Sequence, residues 1–545
     1  MKSIYSKICV IALSGAIATG CNDLDTELLG EHVTQEQKEQ TYIEDPSMVK
    51  AGVTGIMSNF VNLWGVYGDD LERHIDFGWP SVMLMLDSRG ADMPGVAVSY
   101  NWYLTQMRMT DYNDNNHTNC MAWYTLYNQM HAANLVLEAL DPNTDDPTYQ
   151  FYMAHAHTMR AYDLFQLAQL FQFTYVGHQN EPCVPIRTVE NMHDTSGVPR
   201  ATVEEVYKQI QADLKRAIEL FEESGVQRSD KRYVDAAVAH GIRARVNLVM
   251  NHWADAAQDA QDAIDLSGAQ PYSIAQVSSP AFIDITDGSW LWGILINESD
   301  DVVLTGIVNF PSHMGSLCYG YSSVGAWRMI NTSLYESIPD TDVRKGWWLN
   351  AKGKSANAAA AVYTCSSTLT SSGFPAMLDA ESYMGAMAGG RPYAQVKFAP
   401  YGGVLYQSTN ASDIPLMRVE EMYYIKAEAM AMGGNPGGGK QELEDFVKAY
   451  RDPSYSCAAS SAKDIQDEIW RQRRIEFWGE GISYFDLMRL NKGIDRRNGG
   501  FPSAYVFNVP AGDNLMRLLI PQGEMQANPK IGANNAQGSQ PQRVQ

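Results

Sequence analysis

The sequence predicts a mainly α-helical protein, built of degenerate helical hairpins of the tetratricopeptide type and interrupted by one loop-rich region. Apolar residues recur at helical spacing in several segments of the chain. After Trp253, small residues follow at three, four, seven and ten positions, a spacing that lets two helices approach closely. Between residues 271 and 412 the periodicity gives way to Gly, Ser, Tyr and Trp. A long stretch of this kind in a helical protein indicates a functional region.

The first twenty residues form a separate unit that predicts export. Lys2 and Lys7 precede an apolar run from Ile8 to Ile17, which is too short to span a bilayer. Small residues then lead to Cys21, as in a lipobox. We expect residues 1–20 to be a lipoprotein signal peptide, Cys21 to carry the lipid, and the acidic residues 21–45 to form a tether. An ordinary signal peptide cleaved nearby is the alternative.

Charge and cysteine content exclude several classes of protein. Loss of Lys2 and Lys7 with the signal changes the formal net charge from −22 to −24, which would repel nucleic acid. Five cysteines remain after Cys9 and Cys21, and no pair has the C-x-x-C spacing of a zinc site. An odd number also argues against a dense disulfide framework. We expect most of these cysteines to be small buried hydrophobic residues.

Residues 46–270 are predicted to form the helical N-terminal part. Apolar stripes, each on one helix face, run from Trp123 to Leu140, Ala161 to Phe171, Val203 to Phe221 and Val234 to Leu248. We expect the first two of these helices to pack antiparallel. The third stripe follows Thr202, with Glu205 three residues later, which is the pattern of a capping box.

Residues 271–412 are predicted to form a loop-rich insert, and residues 413–545 a C-terminal part that is again helical. The insert carries isolated aromatic residues among turn residues. Helices are predicted to resume from Leu416 to Met430 and between Asp464 and Leu490. The last fifty residues contain five prolines and are predicted to be rich in loops.

Motifs for catalysis, metal or cofactor binding are weak. The run Gly434 to Lys440 fits G-x-x-x-x-G-K but continues with Gln441, where a phosphate loop needs Ser or Thr, so a loop at a helix C-terminus is favoured. His155 and His157 are two residues apart and diverge on a helix. A glycosidase carboxylate pair has no positive support. We therefore expect no catalytic residue, no metal and no cofactor.

Four segments in order resemble the SusD/RagB family of outer-membrane nutrient-binding lipoproteins. They are Arg160 to Leu167, Pro415 to Ala429, Ile469 to Arg489, and Ile520 to Pro529. The third contains Arg473, Arg474 and Glu476, as in the family's R-R-x-E block. We interpret these charged residues as structural, with an i, i+3 pair between Arg473 and Glu476.

The resemblance implies a SusD-like fold and a surface lipoprotein that is not an enzyme. Its implied partners are a TonB-dependent SusC-like transporter, an oligosaccharide ligand and the outer membrane, to which a lipid would anchor it on the extracellular side. The helical hairpins would supply a rigid scaffold and the face that meets the transporter. Nucleic acid is not an expected partner.

Aromatic residues in loops are the candidate ligand contacts, because a flat ring covers the C–H face of a sugar while polar side chains bond its hydroxyls. One region spans Asp87 to Tyr103, and the other spans Trp290 to Asn331. The family draws ligand contacts from loops near these regions. The predicted ligand-binding residues are Arg89, Asp92, Trp102, Trp290, Tyr321 and Trp327.

Three alternatives to an oligosaccharide-binding protein remain. A RagB-like relative would bind peptides. A surface glycoside hydrolase or esterase would need catalytic carboxylates or a nucleophile that the motifs do not identify. A helical-repeat adaptor would bind a protein partner and no small ligand.

Overall fold

The computed structural model describes residues 48–69 and 73–544. About 49% of it is helical, so the predicted mainly-α class is confirmed. The predicted signal peptide, the lipidated Cys21 and the tether lie outside the described residues. Over the described ranges, every helix is too short or too polar to cross a bilayer.

The N-terminal part contains eight α-helices within the described residues, and the last five form where the apolar stripes and the small-residue spacing after Trp253 predict them. The eight helices are α1 (Val49–Ser58), α2 (Trp79–Arg89), α3 (Leu104–Met107), α4 (His117–Glu138), α5 (Pro147–Phe171), α6 (Val203–Ser224), α7 (Ala236–Met250) and α8 (Trp253–Ser267). Helices α4 and α5, α5 and α6, and α7 and α8 pack on each other. The predicted capping box is present, with Thr202 accepting from Glu205 N and the Glu205 side chain bonding back to Thr202 N.

The middle region is more regular than predicted. It contains α9 (Ile274–Val277), α10 (Asp301–Leu304), α11 (Phe310–Met314), α12 (Thr332–Glu336), α13 (Ala356–Ala360), α14 (Ser367–Ser371) and α15 (Ala380–Ala388). Strands β2 (Val362–Cys365), β3 (Met377–Asp379) and β4 (Val404–Leu405) form a small sheet in the order β3-β2-β4. The region remains rich in loops, and the short helices within it were not predicted because most span only four or five residues, too few to repeat an apolar stripe.

Strand pairing joins the middle region to the C-terminal part. Strand β1 (Trp290–Ile294) pairs antiparallel with β5 (Ile414–Arg418), with Trp290 opposite Arg418. The predicted helix from Leu416 is therefore wrong at its start, and helix α16 (Val419–Met432) begins only after the strand ends. Pro415 favours an extended conformation for the residue before it, which agrees with this assignment.

The C-terminal helices also differ locally from the prediction. They are α17 (Pro436–Tyr450), α18 (Ala462–Glu476), α19 (Ser483–Arg489) and α20 (Gln522–Ala527), and strands β6 (Ile494–Asp495) and β7 (Asn508–Val509) pair antiparallel. The glycines after Pro436 open α17 rather than form a loop at a helix C-terminus. Asn435 caps this helix by accepting from Gly438 N, and Pro436 occupies its first turn, where a missing N–H costs nothing.

Glycines separate α18 from α19, within the segment predicted to be helical. Gly479 and Gly481 take positive φ angles of 78° and 73°. A Cβ on Gly481 would lie 2.7 Å from the Met83 side chain. This close approach, together with the left-handed backbone, ends the helix and brings the turn against α2.

A fully buried charge network joins the middle region, β5 and α18. The Glu476 carboxylate accepts from Arg344 (3.2 Å), Arg418 (3.1 Å) and Arg451 (2.7 and 2.8 Å). Arg473, predicted to pair with Glu476, pairs instead with Asp486 at 2.7 Å. The structural interpretation of these residues holds, but their partners lie on other elements.

The five cysteines within the described residues, Cys120, Cys183, Cys318, Cys365 and Cys457, are free and buried, as predicted. Three apolar clusters form the interior of the protein. The largest joins the N-terminal helices to β1, β5 and α16. The second lies in the middle region, and the third lies between α16, α17 and α18.

Asp87 on α2 makes stability depend on pH. Burial raises the pKa of its carboxyl from 3.8 to about 8, against the opposing hydrogen bond from Gly481 N. Because this pKa is higher in the folded chain than in the unfolded chain, the native state loses stability as pH rises from about 4 to about 8. We expect Asp87→Asn, which has no charge to bury, to be more stable than wild type by about 2–4 kcal/mol at pH 8.

Urea unfolding at pH 5 and pH 8 measures this effect. The stability advantage of Asp87→Asn should grow between the two pH values, whereas exposed Asp145→Asn should stay close to wild type at both. An advantage that is the same at pH 5 and pH 8 would contradict the raised pKa.

Candidate functional site

Four rings from three segments form an aromatic platform, defined here as His74, Tyr100, Trp102 and Tyr321. Tyr100 is 55% exposed and Trp102 is 37% exposed. The His74 ring stacks on Trp102, with centroids 4.6 Å apart and planes 24° apart. The Tyr321 ring lies 6.2 Å from Trp102 and 6.3 Å from Tyr100. The platform therefore presents flat apolar surface to solvent.

Hydrogen bonds and stacking hold the inner rings of the platform. His74 Nδ1 and the Tyr321 hydroxyl form a hydrogen bond. Beneath them, His313 stacks on Tyr321 with centroids 4.8 Å apart, and its Nε2 donates to the His74 carbonyl at 2.9 Å. Burial lowers the pKa of His313 to about 3 and raises that of Tyr321. Both groups are thus neutral near pH 7.

Arg328 connects the two backbone segments that carry the platform. Its guanidinium is buried and donates to Asn101 Oδ1 and to the His313 carbonyl, each at 3.1 Å. Asn101 precedes Trp102 and also accepts from Tyr103 N. Burial lowers the pKa of Arg328 to about 10, so it remains charged at neutral pH. The platform is therefore preorganised by a buried cation beneath it.

Of the six residues predicted to contact ligand, the structure brings Trp102 and Tyr321 together, with their rings 6.2 Å apart. Only Trp102 is exposed, because Tyr321 is 7% exposed and supports the platform from within. Trp290 is 0% exposed and lies in β1, where its ring is part of the main core. Trp327 is 5% exposed and packs with Leu317 and Met329 in the second core cluster. Neither ring offers a face to a ligand, so both belong to the interior rather than to the candidate site.

Arg89 and Asp92, the two predicted polar partners, are bound by other residues of the protein. Arg89 is buried, forms an ion pair with Asp111 and donates to the Tyr484 hydroxyl. Asp92 is bound by the Arg474 guanidinium through both carboxylate oxygens. Because these charges are satisfied within the protein, a ligand at the platform would have to displace an internal pair to reach them.

Sequence reasoning missed His74 and Tyr100 as platform residues. Tyr100 lies within the segment that the composition singled out, and its position two residues before Trp102 was the available signal. His74 carried no such signal, because the ring it stacks on lies 28 residues further along the chain and its hydrogen-bond partner Tyr321 lies 247 residues further. Tyr319, 36% exposed and 5.1 Å from the Tyr406 ring, places further aromatic surface two residues before Tyr321.

One cluster within the described residues has the composition of a metal site. His240, Asp259 and Asp262 offer ligand atoms within 4.8 Å of one another. Arg243 donates to both oxygens of Asp259, at 2.7–3.0 Å, and Asn247 donates to the same carboxylate at 2.8 Å. These donors already satisfy the carboxylate, so the arrangement fits an internal ion pair better than a cation site.

Two family models match this chain. One, described as starch-binding associating with outer membrane, matches residues 83–248, and the other, described as the SusD family, matches residues 327–536. No curated protein sequence matches the chain.

Solved structures share the fold over nearly the whole chain. A SusD-like carbohydrate binding protein from Bacteroides vulgatus aligns with a TM-score of 0.70 at 20% identity, covering 89% of this chain and 97% of that one. A SusD superfamily protein from Bacteroides thetaiotaomicron aligns with a TM-score of 0.64 at 20% identity, covering 90% and 99%. With both family models matching along the same chain, this protein belongs to the SusD/RagB family.

Proposed function

We propose that this protein binds oligosaccharides at the aromatic platform and does not modify them. The observation that carries the proposal is the exposed set of Tyr100 and Trp102 rings, backed by His74 and Tyr321. A pyranose has an apolar C–H face that such rings cover, while hydroxyl groups remain at its rim. Similarity to a protein described as SusD-like and carbohydrate binding supports this ligand class.

An open platform suits transient capture. Tyr100 and Trp102 lie at the surface, whereas the charged guanidinium of Arg328 is buried. His313 and Tyr321, beneath the exposed rings, are neutral near pH 7. Binding would therefore depend on stacking and on hydroxyl contacts rather than on charge. Only part of a ligand is buried on such a surface, which limits affinity and allows release.

We propose further that the protein is an outer-membrane lipoprotein, held by a lipid on Cys21 and facing the extracellular side. It would pass its ligand to a TonB-dependent SusC-like transporter for nutrient uptake. The lipobox-like sequence before Cys21 and the family model described as starch-binding associating with outer membrane support this placement. A Cys21→Ser variant should lose incorporation of labelled lipid.

The contacts of two carboxylates among the described residues, Asp76 and Asp92, support binding without catalysis. Asp76 accepts from Val66 N and Tyr67 N, and Asp92 is held by Arg474. A hydrolase would instead need two carboxyl groups placed on either side of a glycosidic bond. The contacts of these two residues hold loops and helices in place.

A glycan array followed by calorimetry tests the proposal. The probes for calorimetry are maltohexaose, cellohexaose, xylohexaose and mannohexaose, together with the strongest array ligand. We expect micromolar to millimolar binding, about −8 to −4 kcal/mol, and no new reducing ends on incubation. Blank saccharide measurements together with binding of a tryptic casein digest would favour the peptide-binding alternative. New reducing ends that disappear on mutation of one carboxylate would favour a hydrolase.

A further inference from the structure

A second concave site lies between α4, the segment 185–198 and α20. We call it the α4 cleft; its cavity volume is about 440 Å³, within the range of small-molecule sites. None of the residues that line it belongs to the aromatic platform. The two sites can therefore be altered separately by mutation.

Hydrogen bonds between distant parts of the chain fix the walls of the α4 cleft. The Tyr127 hydroxyl donates to the Pro185 carbonyl at 2.7 Å, and Asn134 Nδ2 donates to the Arg187 carbonyl at 3.1 Å. Asn528 Nδ2 donates to the Val198 carbonyl at 2.9 Å.

Gly197, with a φ of 87°, lies where the segment 185–198 meets the end of α20. A Cβ at this position would lie 2.1 Å from Asn528 Oδ1, so only glycine lets the two segments come this close. With its walls held on both sides, the cleft is formed before any ligand arrives.

The lining combines aromatic surface with hydrogen-bonding groups of both kinds. Tyr124 and Tyr127 lie along one face of α4, and the Tyr127 ring is 4.7 Å from that of Trp123. Arg187 and Glu524 line the same cavity. Arg187 Nη2 donates to the Met192 carbonyl, and Glu524 Oε1 accepts from Asn528 at 2.8 Å.

Arg187 and Glu524 each have polar atoms that these hydrogen bonds do not use. A guanidinium has five N–H donors and a carboxylate has two acceptor oxygens. Among the hydrogen bonds formed by the described residues, those above use one side-chain donor of Arg187 and one oxygen of Glu524. The cleft can thus accept from hydroxyl groups and donate to ring or hydroxyl oxygens beside an aromatic wall.

We propose that the α4 cleft is a second saccharide site, which takes one or two uncharged pyranose units independently of the aromatic platform. This inference rests on the proposed function, since it assigns the same ligand class to a new place. An anionic sugar would meet the carboxylates of Glu524 and Asp194, and a cationic sugar would meet Arg187. A neutral sugar satisfies both kinds of group.

Calorimetry with maltotriose, cellotriose, xylotriose and mannotriose on the full mature protein tests the second site. The variants are Trp102→Ala for the platform, Glu524→Gln with Arg187→Gln for the cleft, and Glu223→Gln on α6 as an exposed control. Glutamine at 524 keeps the oxygen that accepts from Asn528, and thermal unfolding checks that each variant is folded. We expect two trisaccharides per chain in wild type and in the control, and one in each single-site variant. The cleft substitutions should weaken cleft binding at least tenfold.

The possible results separate the two proposals. One trisaccharide per chain, lost entirely in Trp102→Ala, would overturn the second site and leave the proposed function standing. Binding that survives Trp102→Ala unchanged and is lost in the cleft variant would support the cleft and overturn the platform. No binding of any trisaccharide to wild type would overturn both. A tryptic casein digest that binds in the cleft while no trisaccharide does would overturn the saccharide assignment.

Discussion

Replacing Glu476 by glutamine is expected to lower the free energy of unfolding by about 3–5 kcal/mol. The side chain is fully buried and accepts from the guanidinium groups of Arg344, Arg418 and Arg451. Glutamine removes the negative charge and leaves buried cations without their shared partner. Urea unfolding at pH 7, followed by circular dichroism, measures the loss.

A matched control lies on the same helix. Asp467 has a side chain that is 40% exposed, and it pairs with Lys463 one turn earlier and with Lys492. Solvent screens such pairs, so Asp467→Asn should cost no more than about 1 kcal/mol. A loss in Glu476→Gln as small as that in Asp467→Asn would mean that the buried network contributes little to stability.

The pKa of Glu476 determines how the stability difference between wild type and Glu476→Gln depends on pH. Burial alone would raise the pKa of Glu476, but Arg451, Arg418 and Arg344 hold it well below the usual value of 4.5. A pKa lowered in the folded state contributes stability above the unfolded pKa, and that contribution is lost as pH falls through the folded pKa. The gap between wild type and Glu476→Gln should therefore persist from pH 7 to pH 5 and narrow only in stronger acid.

Replacing Trp102 by alanine is expected to weaken oligosaccharide binding about 10- to 100-fold, or about 1.4–2.8 kcal/mol. The indole is the largest exposed ring of the platform and stacks on His74, so its removal takes away the surface that would cover a sugar face. Calorimetry with the strongest ligand of the glycan array measures the change. The melting temperature should stay near that of wild type, because the ring is only partly buried.

Two further variants distinguish the loss of ring surface from an altered local structure as the cause of weaker binding. Trp102→Phe retains a flat ring and should lose less affinity than the alanine variant. Tyr321→Phe keeps the ring and removes only the hydroxyl that bonds to His74. Loss of this hydrogen bond should lower the free energy of unfolding by about 1 kcal/mol. Unchanged affinity in a folded Trp102→Ala variant would refute the platform as the ligand site.

Local sequence signals predicted the helical scaffold well. The stripe from Val203 to Phe221 and the capping box at Thr202 became helix α6 with both capping bonds formed. These signals depend on residues three or four positions apart, so they are complete within a short window. The middle region carried no such repeat because its helices are short, and strand β5 formed at Leu416 because a distant strand pairs with it.

The candidate site was predicted in part. Trp102 and Tyr321 were identified by residue type and region, and the fold places their rings 6.2 Å apart. Trp290 and Trp327 have the same residue type, yet packing encloses them in two different core clusters. Residue type alone does not distinguish an exposed tryptophan from a buried one, because burial depends on what the rest of the chain places over the ring.

Periodicity and capping within the chain were enough to establish helical hairpins, and ordered motifs were enough to identify the family. Only the tertiary structure determined which rings face solvent, which charges pair and where the clefts lie. The Arg474–Asp92 pair joins residues 382 positions apart, and the α4 cleft is built from segments almost 400 residues apart. Helix formation is a local property of the backbone, whereas exposure and ion pairing arise only when distant segments pack together.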